Sequence, residues 1–301
     1  YALGVPMAGE DKTADTSENR NQLRAEAVAA ARSSDIALLF IGDSDKYERE
    51  SADRASMDLP AGQDELVEAV LAANPKTVIV FNAGASIDLT RWSDRVPAIV
   101  DAWYGGEEGG HAIADVLFGD VNPSGKLPFT FLRKAQDSPA SSSYPGVDLH
   151  TKYAEGIYVG YRYFDKHPRI APLFPFGYGL SYTKFAYSGL HAPTQVSGNG
   201  DIDVQVTVKN TGKRAGAEVA QLYVGDPHAS VDRPEKELKA FQRVDLAPGE
   251  SRTIHFKLDR RALSFWSVGT HAWVAEPGRF DVLVGSSSRD IRLRGSFNLI
   301  Q

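Results

Sequence analysis

Apolar and polar positions alternate in two different rhythms along the chain. Up to Gly119, short continuous apolar runs alternate with segments whose apolar positions recur every three or four residues. Leu23, Ala27, Val28 and Ala31 form a helical stripe, with Thr16 or Ser17 as a candidate cap and Glu18 in the first turn. The run 36–41 (IALLFI) has strand length and suits a parallel strand buried on both faces. Pro60 suits the first turn of a helix whose buried face is Leu66, Val67, Val70 and Leu71. Buried strands are expected again at 77–81 and 98–102, and a short helix with Ile113, Val116 and Leu117 follows. Strands alternating with helices make right-handed βαβ units and a parallel sheet. The loops 42–58, 82–88 and 103–110 then emerge at one edge of that sheet, where α/β proteins place their reactive crevice.

After Gly119 the rhythm changes. Asn122-Pro123-Ser124-Gly125 is a turn by composition, 127–131 reads as a strand, and 135–147 reads as a Ser- and Pro-rich surface loop. The segment 158–187 is dense in aromatics, Pro and Gly. Flexible linkers lack such rings, so it reads as an ordered connection, its aromatics engaged in packing. The last third alternates with period two: Ile202, Val204, Val206 and Val208; Ala220, Leu222 and Val224; Ile254, Phe256 and Leu258; Phe280, Val282 and Val284. These are the marks of an immunoglobulin-like sandwich. The expected fold class is an α/β sandwich with a mostly parallel sheet followed by an all-β sandwich. Its divisions are 1–150, a connection 151–189, and 190–301.

Composition narrows the function. A chain of 301 residues, 42% hydrophobic and 24% charged, is an ordinary globular protein of about two domains. A net charge of −6 offers no basic footprint for nucleic acid. The absence of cysteine excludes disulfides and thiolate metal sites but leaves the compartment open. No apolar run is long enough to span a bilayer, so no membrane partner is expected. The start, Tyr1-Ala2-Leu3-Gly4, lacks the basic and apolar regions of a signal peptide and reads as a cut into a larger protein. The seven histidines show no metal-ligand spacing, and no cofactor is expected. A Gly-x-Ser-x-Gly elbow is absent, which argues against a serine hydrolase.

The densest chemistry lies in 42–58, where Glu48, Glu50, Asp53 and Arg54 crowd a loop that a plain connection would not need. Glycoside hydrolysis uses a carboxylic acid that protonates the leaving oxygen and a second carboxylate across the bond. The acid must keep its proton near working pH, through burial or neighbouring negative charge. Glu50 is the candidate; the alternative is a solvated charged loop with local ion pairs. Trp103-Tyr104-Gly105-Gly106-Glu107-Glu108-Gly109-Gly110 lacks the Lys-Ser/Thr of a phosphate loop and the dinucleotide spacing. Its aromatic pair suits a sugar site; the alternative is a tight strand-to-helix turn.

At these residues the chain resembles glycoside hydrolase family 3, the β-glucosidase and β-xylosidase family, over nearly its whole length. Glu48-Arg49-Glu50-Ser51-Ala52-Asp53-Arg54, then Leu59-Pro60 and Gln63, is similar to the family's E-x-E-G-x-D-R…L-P-x-x-Q segment. The 103–110 segment with Ala114-Asp115-Val116-Leu117-Phe118-Gly119, and Asn122-Pro123-Ser124-Gly125-Lys126-Leu127-Pro128, resemble further signatures. So do Tyr153-Ala154-Glu155-Gly156, Gly160-Tyr161-Arg162-Tyr163-Phe164-Asp165 and Phe176-Gly177-Tyr178-Gly179-Leu180-Ser181-Tyr182. The resemblance implies an (α/β)6 sandwich, N-terminally incomplete here, then a fibronectin type III-like domain. It makes Glu50 the general acid/base, with Ser51 standing where many members have Gly. It implies a glycoside substrate, contacted by Glu48, Arg54, Trp103 and Tyr104, with Asp53 and Arg54 holding the loop. The family's nucleophile is an aspartate on a (β/α)8 barrel in a Ser-Asp-Trp-type motif. Ser93-Asp94, which follows Trp92, is not that motif. The expectation is therefore the C-terminal portion of a retaining, exo-acting β-glycosidase, foremost a β-glucosidase, its barrel lying elsewhere and its compartment secreted or periplasmic. The alternatives are a non-catalytic carbohydrate-binding or structural subunit and, disfavoured by the acidic loops, a nucleotide-binding α/β protein.

Overall fold

The structure, a computed structural model, describes residues 17–44, 46–52, 54–148, 150–197 and 200–300. Thr16 and Asp53 lie outside these. Contacts divide the chain into two compact units, 1–115 with 132–137, and 116–131 with 138–301. The residues 116–131 and 138–150, expected in the first domain, thus group with the second unit.

In the first unit, helix α1 (Ser17–Arg32), strand β1 (Ala37–Gly42), helix α2 (Gln63–Ala73), strand β2 (Thr77–Asn82), strand β3 (Ala98–Asp101) and helix α3 (Gly109–Phe118) follow in order, α3 running on into the second unit. The three strands are parallel in the order β1-β2-β3, with Ala37 opposite Thr77 and Val78 opposite Ala98. The central strand is the most deeply buried: Ile79 and Val80 have no exposed surface and Phe81 almost none. The α2 face is the expected one, with Leu66, Val67, Val70 and Leu71 buried. The helix begins later than expected. Pro60 lies in the preceding turn, whose carbonyl accepts from the Gln63 amide. Gln63 then folds back onto β1: its side-chain oxygen accepts from the Gly42 amide and its nitrogen donates to the Gly42 carbonyl, both at 2.9 Å.

The expectation that 36–41 is buried on both faces does not hold. Ala31, Leu66 and Val70 of α1 and α2 pack with Ala37 and Leu39 on one face. Leu38 and Phe40 on the other face, with Ile36 just before the strand, are 44%, 54% and 58% exposed. A continuous apolar run cannot tell a strand covered twice from one covered once. Likewise β3 is an edge strand with Ala98 exposed and its other residues half-buried, not a buried one.

In the second unit the expected strand at 127–131 does not form. Leu127 and Phe131 exchange isolated hydrogen bonds with Leu173, Phe174, Gly177 and Tyr178, and only a single bridge joins Phe131 to Phe174. Pro128 has no amide hydrogen, which breaks a ladder there. The aromatic segment that follows is ordered by ring packing. Tyr161, in helix α4 (Tyr161–Lys166), stacks on Phe176 at 5.0 Å and meets Tyr223 edge-on at 5.8 Å.

The strands of the sandwich are β4 (Phe185–His191), β5 (Gln195–Ser197), β6 (Ile202–Asn210), β7 (Gly216–Gly225), β8 (Glu237–Leu246) and β9 (Ser251–Leu258). After the short helix α5 (Arg260–Leu263) come β10 (Phe265–Ser267), β11 (Ala272–Val274), β12 (Gly278–Gly285) and β13 (Ile291–Ile300). One sheet runs β5-β13-β12-β7-β8, the other β4-β6-β9, and β10-β11 is a separate hairpin. The period-two residues meet in one core: Ile202, Val204, Val206 and Val208 face Ala220, Leu222, Val282 and Val284. Phe280 and Phe297, each 1% exposed, stack at 5.6 Å in that core. Phe280→Ala should cost this unit about 3–5 kcal/mol, the penalty of an unfilled aromatic cavity. A variant whose thermal unfolding matches the parent's would show that the core collapses without that ring.

Candidate active-site loops

Everything at the sheet edge starts from how the strands end. Gly42 closes β1 with φ 150, and a Cβ there would lie 2.1 Å from the Asn82 carbonyl oxygen. Only glycine lets the ends of β1 and β2 approach so closely. The next residue, Asp43, has a side chain with no exposed surface. Burial pushes its carboxyl above the usual range, against the pull of Arg54. Arg54 reaches it at 2.7 Å and forms the centre of a fork. The same guanidinium approaches Glu48 Oε1 at 3.4 Å and donates to the Asp58 carbonyl at 2.9 Å. One cation thus ties both ends of the 42–58 loop to its middle.

Glu48 ties that loop to the other two. Its Oε2 accepts the Gly84 amide hydrogen at 2.7 Å and the Tyr104 hydroxyl hydrogen in a short hydrogen bond. Burial alone would push the Glu48 carboxyl up. The Tyr104 hydroxyl, the Gly84 amide and Arg54 outweigh it and hold the group below its ordinary value. The Tyr104 hydroxyl is raised in turn, by burial and by Glu48. Asn82 Nδ2 donates to the Trp103 carbonyl at 2.6 Å, fastening loop 82–88 to loop 103–110 a second time. Trp103 takes a left-handed φ of 52, and its amide donates to Asp101 Oδ1 at 3.2 Å. Burial pushes the Asp101 carboxyl up to about 7, with the Trp103 amide opposing. Its Oδ2 is buried and has no hydrogen-bond partner among the described residues.

The three loops expected at one edge therefore do meet, and Glu48, Arg54 and Tyr104 meet in them. Trp103 joins through its backbone. Glu50 stands apart. Arg49 and Ala52 form an isolated bridge, so Glu50 and Ser51 are the tip of a tight turn, and Glu50 is exposed. Ser51 has φ 62, a conformation that side chains with a Cβ rarely adopt. That is the physical reason a glycine suits the position. Asp53, expected to help hold the loop, lies outside the described residues. Asp94 sits in a 3-10 turn (Ser93–Arg95), and the neighbouring Trp92 is buried with its indole N–H on Asp64 Oδ1 at 2.9 Å. The sequence reading gave no site role to Asp43, Asp101, Asn82 or Gly84, and it quoted Gln63 only within the family segment. Asp43, Asp101, Asn82 and Gly84 share one signal: a polar residue or glycine within three residues after an apolar strand run.

The loops thus unite carboxylates, an arginine, a half-buried tryptophan and an exposed tyrosine at the carboxyl ends of parallel strands, where α/β proteins place their ligand crevices. The family model described as glycosyl hydrolase family 3 C-terminal domain matches residues 6–182, and the fibronectin type III-like domain matches 218–288. The chain belongs to glycosyl hydrolase family 3, of which it holds the C-terminal domain followed by the fibronectin type III-like domain. It is 48% identical over 272 residues to thermostable beta-glucosidase B of Acetivibrio thermocellus, covering 90% of this chain and 36% of that protein. It is 44% identical over 309 residues to beta-glucosidase BoGH3A of Bacteroides ovatus, covering 100% and 41%. The crystal structure of a Bifidobacterium adolescentis GH3 beta-glucosidase superposes with a TM-score of 0.89 at 41% identity, over 93% of this chain and 41% of that one. DesR, a beta-glucosidase from Streptomyces venezuelae in complex with D-glucose, superposes equally well, at 0.89 and 41% identity, over 95% and 36%. The chain thus spans about two fifths of these relatives or less.

Proposed function

We propose that this chain is the C-terminal portion of a retaining, exo-acting β-glucosidase, and that Glu50 is its general acid/base. Terminal non-reducing β-D-glucosyl residues are the substrate. A (β/α)8 barrel supplies the aspartate nucleophile and most of the sugar pocket. The observation that carries the reading is the division of labour between two glutamates. Glu48 is held by three donors, whereas Glu50 sits exposed at the tip of a turn anchored on both sides. A group that must meet a leaving oxygen and afterwards a water needs that access; the burial expected to keep its proton on is not provided by this loop, so the bound glycoside and the barrel would have to supply it. In the first step Glu50 gives its proton to the glycosidic oxygen as the nucleophile takes the anomeric carbon. In the second, the Glu50 carboxylate takes a proton from water as that water displaces the nucleophile. The names of the relatives support the substrate class.

The test is product stereochemistry, with a complete polypeptide that carries this chain behind its barrel. Proton NMR of an aryl β-glucoside digest should show β-glucose first, with the α anomer growing in by mutarotation. First appearance of α-glucose, or no cleavage of any glucoside, overturns the reading.

A further inference from the structure

We propose that Glu48 and Tyr104 are positioning residues, which set where the Glu50 turn stands, and that neither is a ligand of the sugar; the inference rests on the acid/base reading of Glu50. The sequence reading places both among the expected substrate contacts. The geometry points elsewhere. A carboxylate that binds a sugar must offer free lone pairs to hydroxyl groups. Glu48 Oε2 is already filled by the Gly84 amide and the Tyr104 hydroxyl, and Oε1 faces Arg54. Its side chain is only 14% exposed. The Tyr104 hydroxyl, the group of that side chain able to hydrogen-bond a sugar, is turned onto Glu48.

The surroundings are shaped for the tie. A Cβ on Gly84 would lie 3.1 Å from Glu48 Oε2 and 3.1 Å from the Tyr104 ring, so glycine there leaves the room in which carboxylate and phenol meet. The tie joins the β1 loop to the loops after β2 and β3, over 36 and 56 residues of sequence. Glu50 lies two residues along from its anchor, on a turn closed by the Arg49–Ala52 bridge. Any shift of Glu48 is therefore passed to Glu50. Glu48 is also the wrong acid: three donors favour its ionised form, and a general acid must carry a proton.

The experiment compares Glu48→Gln, Tyr104→Phe, the double variant and Glu50→Ala in a complete polypeptide, using aryl β-glucosides with a graded series of leaving groups. Misplacing a catalytic group by an ångström costs about 100-fold in rate. Each single variant should lose roughly 10- to 100-fold in kcat on poor leaving groups and much less on activated ones, with KM nearly unchanged. The double variant should lose little more than either single one, because both remove the same tie. Azide should not restore Glu48→Gln. A rise in KM with kcat intact, equal across leaving groups, would make the pair sugar ligands and overturn the proposal. A lowered melting temperature with kcat intact would make the tie purely structural and overturn it too. Azide rescue at Glu48 and none at Glu50 would move the acid/base to Glu48, removing both readings. Normal acid/base behaviour at Glu50 with no leaving-group effect at Glu48 or Tyr104 would remove this one alone.

Discussion

Glu50→Ala, in a complete polypeptide carrying this chain, should lower turnover of β-glucosides with poor leaving groups by about 100- to 10,000-fold, the range that general acid–base catalysis supplies. The loss depends on the substrate. A leaving group that departs as a stable phenolate needs no proton, so formation of the glycosyl-enzyme is nearly spared. Its hydrolysis is not spared, because water still needs a base. Azide needs none. It should therefore accelerate the second step and yield β-glucosyl azide, a product with the retained configuration. Exposure at the tip of the 49–52 turn makes this test clean, because removing the carboxylate leaves the Glu48 and Arg54 network in place. Equal losses on all leaving groups, or azide rescue in Glu48→Ala and none in Glu50→Ala, would reject the assignment.

The 301-residue chain, freed of every other chain, should release no phenol from aryl β-glucoside or β-xyloside above background. A retaining glycosidase needs a nucleophile about 5–5.5 Å from the acid/base, across the scissile bond. On the proposed reading that role belongs to the barrel, and three carboxylates of this unit are committed elsewhere. Glu48 belongs to the same loop and is occupied by three donors. Asp43 is sealed beneath Arg54. Asp94 lies beside the buried Trp92 in a 3-10 turn. The positive control is a barrel-containing polypeptide. Clear turnover by the chain alone, abolished by Glu50→Ala, would mean that both carboxylates are in these residues and that no barrel is required.

Sequence made the sandwich easy to read, because a strand with one buried face marks every second position. The 202–208 and 280–284 patterns are the core as it stands. It misjudged 36–41, because a run without polar residues carries no record of which face is covered. The segment 127–131 misled for another reason. Its apolar residues do pair, but Pro128 interrupts the ladder and leaves single bonds. In the site, charge density singled out the 42–58 loop, but it could not tell one glutamate there from the other. Glu48 and Glu50 are two residues apart with the same side chain. What separates them is the Gly84 amide and the Tyr104 hydroxyl, which arrive from two other strand ends. Asp43 and Asp101 were overlooked because burial, the property that perturbs them, follows only from the closing of all three loops.

The Arg54 fork bears on how this loop tolerates mutation. Its guanidinium serves Asp43 at 2.7 Å, Glu48 at 3.4 Å and the Asp58 carbonyl at 2.9 Å, three acceptors in different directions around one planar group. Lysine carries the same charge but concentrates it at one point, on a stem with no fixed fork. It can neutralise Asp43 or brace Glu48 and Asp58, not all three together. In a saturation library of this loop, exposed Lys46 and Arg49 should accept exchange between the two basic residues freely. Position 54 should accept arginine alone, though a substitution matrix scores lysine as its nearest equivalent.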